Sequence, residues 1–198
     1  MDQQEELEYI RRVRNGEHAA YAFLVDRYKG MAYSIALRVL GNQEDSQDVA
    51  QEGFIKAYQQ LYQFEGKSKF STWLYTIVYR TALAKANEMK VRTFSITDKF
   101  KETFTNDYST PQLKLMQTDD EQRSVNIAIN NLPKTEALLV ILYYIDENSI
   151  SEIKQITGLS MANIKIKLFR ARKKLEKQLR FLLDDKSKET RIYGKQGK

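Results

Sequence analysis

Ser149-Ile150-Ser151-Glu152-Ile153-Lys154-Gln155-Ile156-Thr157-Gly158-Leu159-Ser160-Met161-Ala162-Asn163-Ile164-Lys165-Ile166-Lys167-Leu168-Phe169-Arg170 is the stretch that decides the fold. Ser149 followed three residues later by Glu152 is a capping box, which opens a helix with Ile153 and Ile156 on its inner face. Gly158 supplies the positive φ of a helix-ending turn, and Ser160 can cap the next helix. A short helix, a glycine turn and a longer helix make a helix-turn-helix. Just upstream, Pro133 suits the first turn of an apolar helix over Glu136–Ile145, where a missing N–H costs nothing.

The second helix of the motif divides cleanly. At about 100° per residue, Leu168, Ala171, Leu175 and Leu179 all fall within about 60° of Ile164, forming one buried stripe. The opposite arc holds Asn163, Lys165, Ile166, Phe169, Arg170, Lys173 and Lys177. From Asn163 to Arg180 there are eight Lys/Arg against Glu176 alone. A merely solvated helix usually mixes its charges and covers its Ile and Phe. A DNA major groove gives cations their phosphates and apolar side chains their thymine methyls. Ser160, Asn163, Lys165, Ile166, Phe169, Arg170 and Lys173 are therefore the expected duplex contacts.

Outward from this motif, the charge balance is uneven. Residues 1–90 carry 12 Lys/Arg and 12 Asp/Glu, residues 91–124 carry 5 and 6, and residues 125–198 carry 15 and 8. The net charge of +6 thus lies almost wholly in the last third, where a polyanion should be sought. There is no Cys and a single His, His18. Thiolate zinc sites, disulfides, Cys nucleophiles and paired-His metal sites are excluded, and neither metal nor cofactor is expected. His18 itself reads as a solvated residue. The longest apolar run, Ala137–Ile145, is nine residues, well short of the roughly 20 that cross a bilayer. The acidic N-terminus is unlike a secretion signal, so a cytoplasmic protein is expected.

Few Gly and Pro and little alternation point to an all-α chain: two small helical domains joined by a flexible linker, the second a helix-turn-helix. The first domain, 1–90, reads as helices over Leu7–Val13, Ala19–Leu40, Ser46–Leu61 and Ser71–Asn87, with Ser71 as N-cap of the last. Asn15-Gly16, Gly41-Asn42 and Glu65-Gly66-Lys67-Ser68 punctuate them. The polar stretch 91–122 is the linker, within which Leu113–Met116 could form a short docking turn. Residues 123–183 form the second domain, and 184–198 read as a disordered polar tail.

Two further patterns lie in the first domain. Asp45, Asp48, Gln51 and Glu52 share one acidic-amide face of a helix whose other face is Ala50, Phe54, Ala57 and Leu61. Acids near a helix N-terminus are favoured by the macrodipole alone. On a chain that also binds DNA, though, such a face suits a basic protein surface rather than phosphate. Next, Phe64–Tyr75 interleaves aromatics with lysines, the combination that single-stranded nucleic acid needs for stacking and neutralisation. The spacing of Phe70, Trp73 and Ile77 favours core for those three. Lys67, Ser68, Lys69, Tyr75, Tyr79 and Arg80 remain as candidate strand contacts.

In this order the motifs resemble the extracytoplasmic-function, or group-four, sigma factors of the sigma-70 family, across nearly the whole chain. Asp45–Tyr58 looks like the family's acidic region-two helix, which docks on the polymerase β′ subunit. Phe64–Trp73 is similar to the segment that melts and reads the −10 element, and Leu132-Pro133, Ser151-Glu152-Ile153 and Ile164–Leu175 resemble region four, which reads the −35 element. The resemblance implies a promoter-specificity subunit without catalysis of its own, with core RNA polymerase (β′ and β), promoter DNA and an anti-sigma factor as partners, and a monomer when free. The chain departs from the family pattern at Arg80 and Ala84, where Asn and Asp are usual, and at Ala162-Asn163 and Ile166, where Gly-Thr and Ser are frequent. Its promoter preferences therefore do not carry over. A stand-alone helix-turn-helix regulator, and a sigma-mimic module that binds no DNA, remain the alternative readings.

Overall fold

The computed structural model describes residues 3–96 and 120–193, with side chains at 4–90 and 124–180. Eight α-helices succeed one another: α1 Gln3–Arg14, α2 Tyr21–Leu40, α3 Gln43–Gln59, α4 Phe70–Ile96, α5 Asp120–Asn130, α6 Lys134–Val140, α7 Ile150–Thr157 and α8 Met161–Tyr193. Among the described residues there is no β-strand. The all-helical expectation therefore holds. Leu113–Met116 lies outside the described residues.

In the N-terminal half, α2, α3 and α4 pack on one another around Leu24, Ala32, Ile35, Ala50, Phe54, Leu74 and Val78. Asn42 caps α3, its side-chain oxygen accepting from the Asp45 N–H at 2.9 Å. The close approach of α3 and α4 depends on Gly53. A Cβ there would come within 2.7 Å of Val78 Cγ2, closer than packed carbons stand. Ser71 is not the N-cap of α4. The helix starts one residue earlier, and the Trp73 N–H reaches the carbonyl of Lys69 at 3.2 Å. Helix α4 also runs on to Ile96, past the expected boundary at residue 90. No Gly or Pro interrupts it there.

The C-terminal half realises the motif with little change. The capping box closes in both directions, Glu152 N–H to Ser149 Oγ at 3.2 Å and Ser149 N–H to Glu152 Oε2 at 2.7 Å. Gly158 ends α7 at φ 74°, donating to Lys154 O at 2.9 Å. Ser160 Oγ accepts from Asn163 N–H at 3.2 Å. Pro133 stands at the N-cap of α6 rather than inside its first turn. The single helix expected over Glu136–Ile145 changes character, because Ile141–Ile145 is wound as a π-helix. The Asp146 N–H bonds back to Ile141 O and the Asn148 N–H to Leu142 O, so the chain turns wider there and ends in Glu147 at φ 54°. The polar tail reads from its composition as disordered from residue 184, yet α8 continues to Tyr193. The sequence from 184 to 193 contains no Gly or Pro to break the helix.

The two halves are not separate bodies. Helix α7 lies on α4 and α6 on α2, so one continuous apolar cluster runs through both. Polar contacts also cross the seam. Arg38 Nη2 donates to Asn130 Oδ1 at 2.6 Å, and Lys134 Nζ donates to Leu40 O at 3.3 Å, beside Gly41. Tyr75 Oη donates to Asp146 Oδ1 at 3.3 Å, and Lys69 Nζ pairs with Glu152 Oε1 at 3.0 Å.

Candidate functional site

Three surfaces carry the charged and apolar groups singled out in the sequence. The first is the outer face of α8. Its inner stripe is buried as expected, with Ile164 and Ala171 fully covered, Leu168 nearly so and Leu175 packed at the edge. This burial points Lys165, Ile166, Phe169, Arg170 and Lys173 outward, all exposed. Ser160 is exposed and Asn163 partly so, at the tip of the helix. Ile166 and Phe169 each leave half of their surface in solvent, 52% and 50%. Lys173 Nζ sits 4.8 Å above the Phe169 ring, a cation–π contact that orients both side chains without consuming the positive charge. Two cations of the run are paired internally: Lys174 Nζ meets Glu136 at 2.8 Å and ties α8 to α6, and Arg180 meets Glu176 at 2.7 Å along the helix.

The second surface is α3. The predicted inner face is buried, including Ala50, Phe54 and Ala57. Asp48, Gln51 and Glu52 are exposed. Asp45 is only partly so: it accepts from Asn42 Nδ2 at 2.8 Å and pairs with Lys85 Nζ at 3.4 Å, so it is in part a structural group of the α2–α3 corner. Glu52 meets Lys56 at 2.7 Å along the helix. Sequence reasoning passed over Ile55, which lies within about 60° of Asp48, Gln51 and Glu52 and is 57% exposed. An uncovered Ile among acids and amides was already legible on the same helical wheel.

The third surface is the loop before α4. Phe64 and Phe70 are buried and contact Trp73, with ring centroids 5.4 and 5.7 Å away, so these aromatics build the loop's floor rather than its exposed face. Arg14 reinforces it by donating to the carbonyls of Leu61 and Phe64. Above this floor Lys67 and Lys69 are exposed and Ser68 partly so, while Arg80 is exposed nearly three turns into α4. Tyr79 is half-buried, and that burial pushes its hydroxyl above the ordinary tyrosine range. Tyr75 does not belong to this surface. It is 1% exposed, wedged edge-on against Tyr28 and held by Asp146 of the other half. Burial, chiefly, and then the nearby Asp146 charge raise its hydroxyl well above the ordinary range. The expectation of a strand contact at Tyr75 is therefore corrected: it is an interhelical core residue.

Residues 24–86 match the model of sigma-70 region 2, and residues 124–175 match that of sigma-70, region 4. The chain is 32% identical over 181 residues to the ECF RNA polymerase sigma factor SigW of Bacillus subtilis, covering 87% of this chain and 96% of that protein. The chain belongs to the extracytoplasmic-function sigma factors. It is an alternative sigma factor of transcription initiation, and RNA polymerase core and promoter DNA are its partners. Another relative, the RNA polymerase sigma-H factor of Pseudomonas aeruginosa, is 29% identical over 92% of this chain and 98% of its own. Among solved structures, the sigma factor RpoE in complex with the anti-sigma factor NepR from Bartonella quintana shares the fold. Its TM-score is 0.58 at 21% identity, over 81% of this chain and 96% of that one. CnrH in complex with the cytosolic domain of CnrY shares it with a TM-score of 0.54, also at 21% identity, over 89% of this chain and 96% of that one. In this sigma factor, α2, α3, the aromatic loop and most of α4 make up the region-2 match, and α5 to the first half of α8 make up the region-4 match.

Proposed function

We propose a division of labour among the three surfaces. The exposed carboxylates and amide of α3 (Asp48, Gln51 and Glu52, with Asp45 at the edge) dock this sigma factor on a basic surface of core polymerase. Lys67, Ser68, Lys69, Tyr79 and Arg80 hold the −10 strand, the cations taking phosphates over a floor of packed aromatics. Ser160, Asn163, Lys165, Ile166, Phe169, Arg170 and Lys173 enter the −35 major groove, with Ile166 and Phe169 free to meet thymine methyls. The protein supplies specificity and leaves catalysis to the polymerase. It works in the cytoplasm as a monomer until it meets core enzyme. An anti-sigma factor fits this reading, as the similarly folded sigma factor RpoE is in complex with the anti-sigma factor NepR.

The observation that carries the proposal is the opposite sign of two exposed helix faces in one chain, acidic on α3 and basic on α8. No single polyanion satisfies both. Run-off transcription with purified core polymerase tests it. Glu52→Lys lowers core affinity and promoter-directed transcripts together, at least tenfold, while duplex binding through α8 stays at the parental level. Full activity of Glu52→Lys, or unchanged affinity of that variant for core polymerase, would sink the assignment of α3.

A further inference from the structure

Between Gln43 and Lys85 the sequence carries five cations, and four of them are paired with carboxylates of the chain. Lys56 meets Glu52 at 2.7 Å, Lys69 meets Glu152 at 3.0 Å and Lys85 meets Asp45 at 3.4 Å, while Lys67 is paired with Glu65. Arg80 is the fifth. It is exposed, and among the described residues no carboxylate pairs with it.

Its place on α4 explains the difference. The buried Leu74, Tyr75, Val78, Thr81 and Ala82 all lie at least about 100° around the helix from Arg80, so its side chain points away from the core. Trp73, Thr76, Ile77, Leu83, Ala84 and Asn87 fall within about 60° of it. None of these six is buried, and none is charged. The guanidinium thus stands alone on a neutral stripe about 21 Å long.

That stripe is a poor grip for phosphate. A helix that holds a DNA backbone presents several cations along one face, as α8 does, whereas this face presents one. Its neighbours are of the kinds that meet base edges: Thr76 and Asn87 offer polar groups, and Ala84, one turn after Arg80, leaves room for a close approach. Guanine carries two acceptors, O6 and N7, on an edge that stays open when the base is paired, and the planar fork of an arginine meets both at once. Adenine sets an amino donor beside N7 and cannot take the fork. We propose that Arg80 is a specificity-determining residue: it donates to O6 and N7 of one guanine in the −10 element and makes this chain select guanine there. The inference rests on the reading of Arg80 as a −10 contact, and moves its target from phosphate to base; the loop lysines keep the phosphates.

Selection from random sequence tests it. Holoenzyme reconstituted from core polymerase and the full chain transcribes a duplex library randomised upstream of a common cassette, and the templates that yield transcripts are sequenced. The parent selects guanine at one −10 position by about five- to a hundredfold over the other bases. Arg80→Ala flattens that position alone, and Arg80→Gln turns its preference toward adenine, whose N6 and N7 suit an amide. Ala84→Asp gives the guanidinium a partner one turn away and blunts the guanine preference with the arginine still present. The exposed position makes the thermal midpoint of Arg80→Ala the same as the parent's. A fall in transcription that is uniform over all sequences, with a shallower salt dependence, makes Arg80 a phosphate contact: it overturns the base assignment and leaves the −10 reading standing. Selection and yield both unchanged in Arg80→Ala overturn the inference together with that reading.

Discussion

The two surfaces assigned to DNA are in opposite states. On α8 the cations and apolar groups face solvent, held by a stripe beneath them that is almost completely buried. In the loop before α4, Lys67 and Lys69 are each paired with a carboxylate of the chain itself. The difference lies in how each is built. A helix face is positioned by its own buried side, so it is ready whether or not anything else is in place. The buried aromatics under the loop support its backbone but do not aim its lysines, which pair with nearby carboxylates. A sigma factor made this way keeps the helix proposed to read duplex prepared, and pairs the lysines of the loop proposed to hold the strand within the molecule.

The contrast breaks most severely if the stripe under α8 is cut. Ile164→Ala removes a fully buried side chain at the junction of α7 and α8, at a cost of about 2–5 kcal/mol. Urea unfolding followed by circular dichroism reports the loss, and duplex binding falls with it. Ile166→Ala, two residues on but half-exposed, leaves the urea midpoint within experimental scatter. An equal loss from both variants would mean that the face is not supported from beneath. A smaller effect is expected at the cap: Ser149→Ala costs about 1 kcal/mol by leaving the Glu152 N–H at the start of α7 without its partner. It lowers the thermal midpoint without altering the salt dependence of duplex binding.

Salt titration sharpens the comparison directly. Lys173→Gln or Arg170→Gln reduces the slope of log affinity against log salt by about 1 for each phosphate contact removed from the free chain on duplex DNA. Lys69→Gln leaves that slope unchanged, because in the free chain its charge is already matched by Glu152. A slope that falls equally for Lys69 would show the loop to be as available as the helix.

Legibility in the sequence divides along the same line, between local and long-range causes. Ser149, Glu152, Gly158 and Ser160 act within a few residues of themselves, and each takes its expected part in a cap or turn. The stripe from Ile164 to Leu175 obeys the helical period and is buried accordingly. Tyr75 is different. Its hydroxyl meets Asp146, 71 residues away, and no periodicity within α4 carries that partnership. The capping box was legible at Glu152 but its second partner, Lys69, was not, for the same reason. The π-helix at Ile141–Ile145 was hidden because an unbroken apolar run fits α and π winding equally well. Helix α8 outruns its expected end because a polar composition does not stop a helix and no breaker stands before Gly194.

The smallest predicted effect isolates the seam by its protons. Burial raises the Asp146 carboxyl above its ordinary 3.8, although hydrogen bonds from Asn148 and Tyr75 and the charges of Lys69 and Arg27 pull the other way. With the folded value above the unfolded one, the native state binds the extra proton between them. The stability contributed by that proton is complete below about pH 4 and is lost as pH rises through the raised value. Glu152 has the opposite sign: its folded value is lowered, so its contribution is present at neutral pH and fades as pH falls below its ordinary 4.5. The two therefore oppose each other in a single melting curve, and a variant is needed to separate them. Asp146→Asn cannot ionise, keeps an oxygen for the Tyr75 hydroxyl and loses at most a constant amount through Asn148. Thermal melts at intervals between pH 4 and pH 7 then show the variant gaining on the parent as pH rises. A difference in midpoint that stays flat across that window would mean that Asp146 is not under strain at the seam, and that Tyr75 is buried by packing alone.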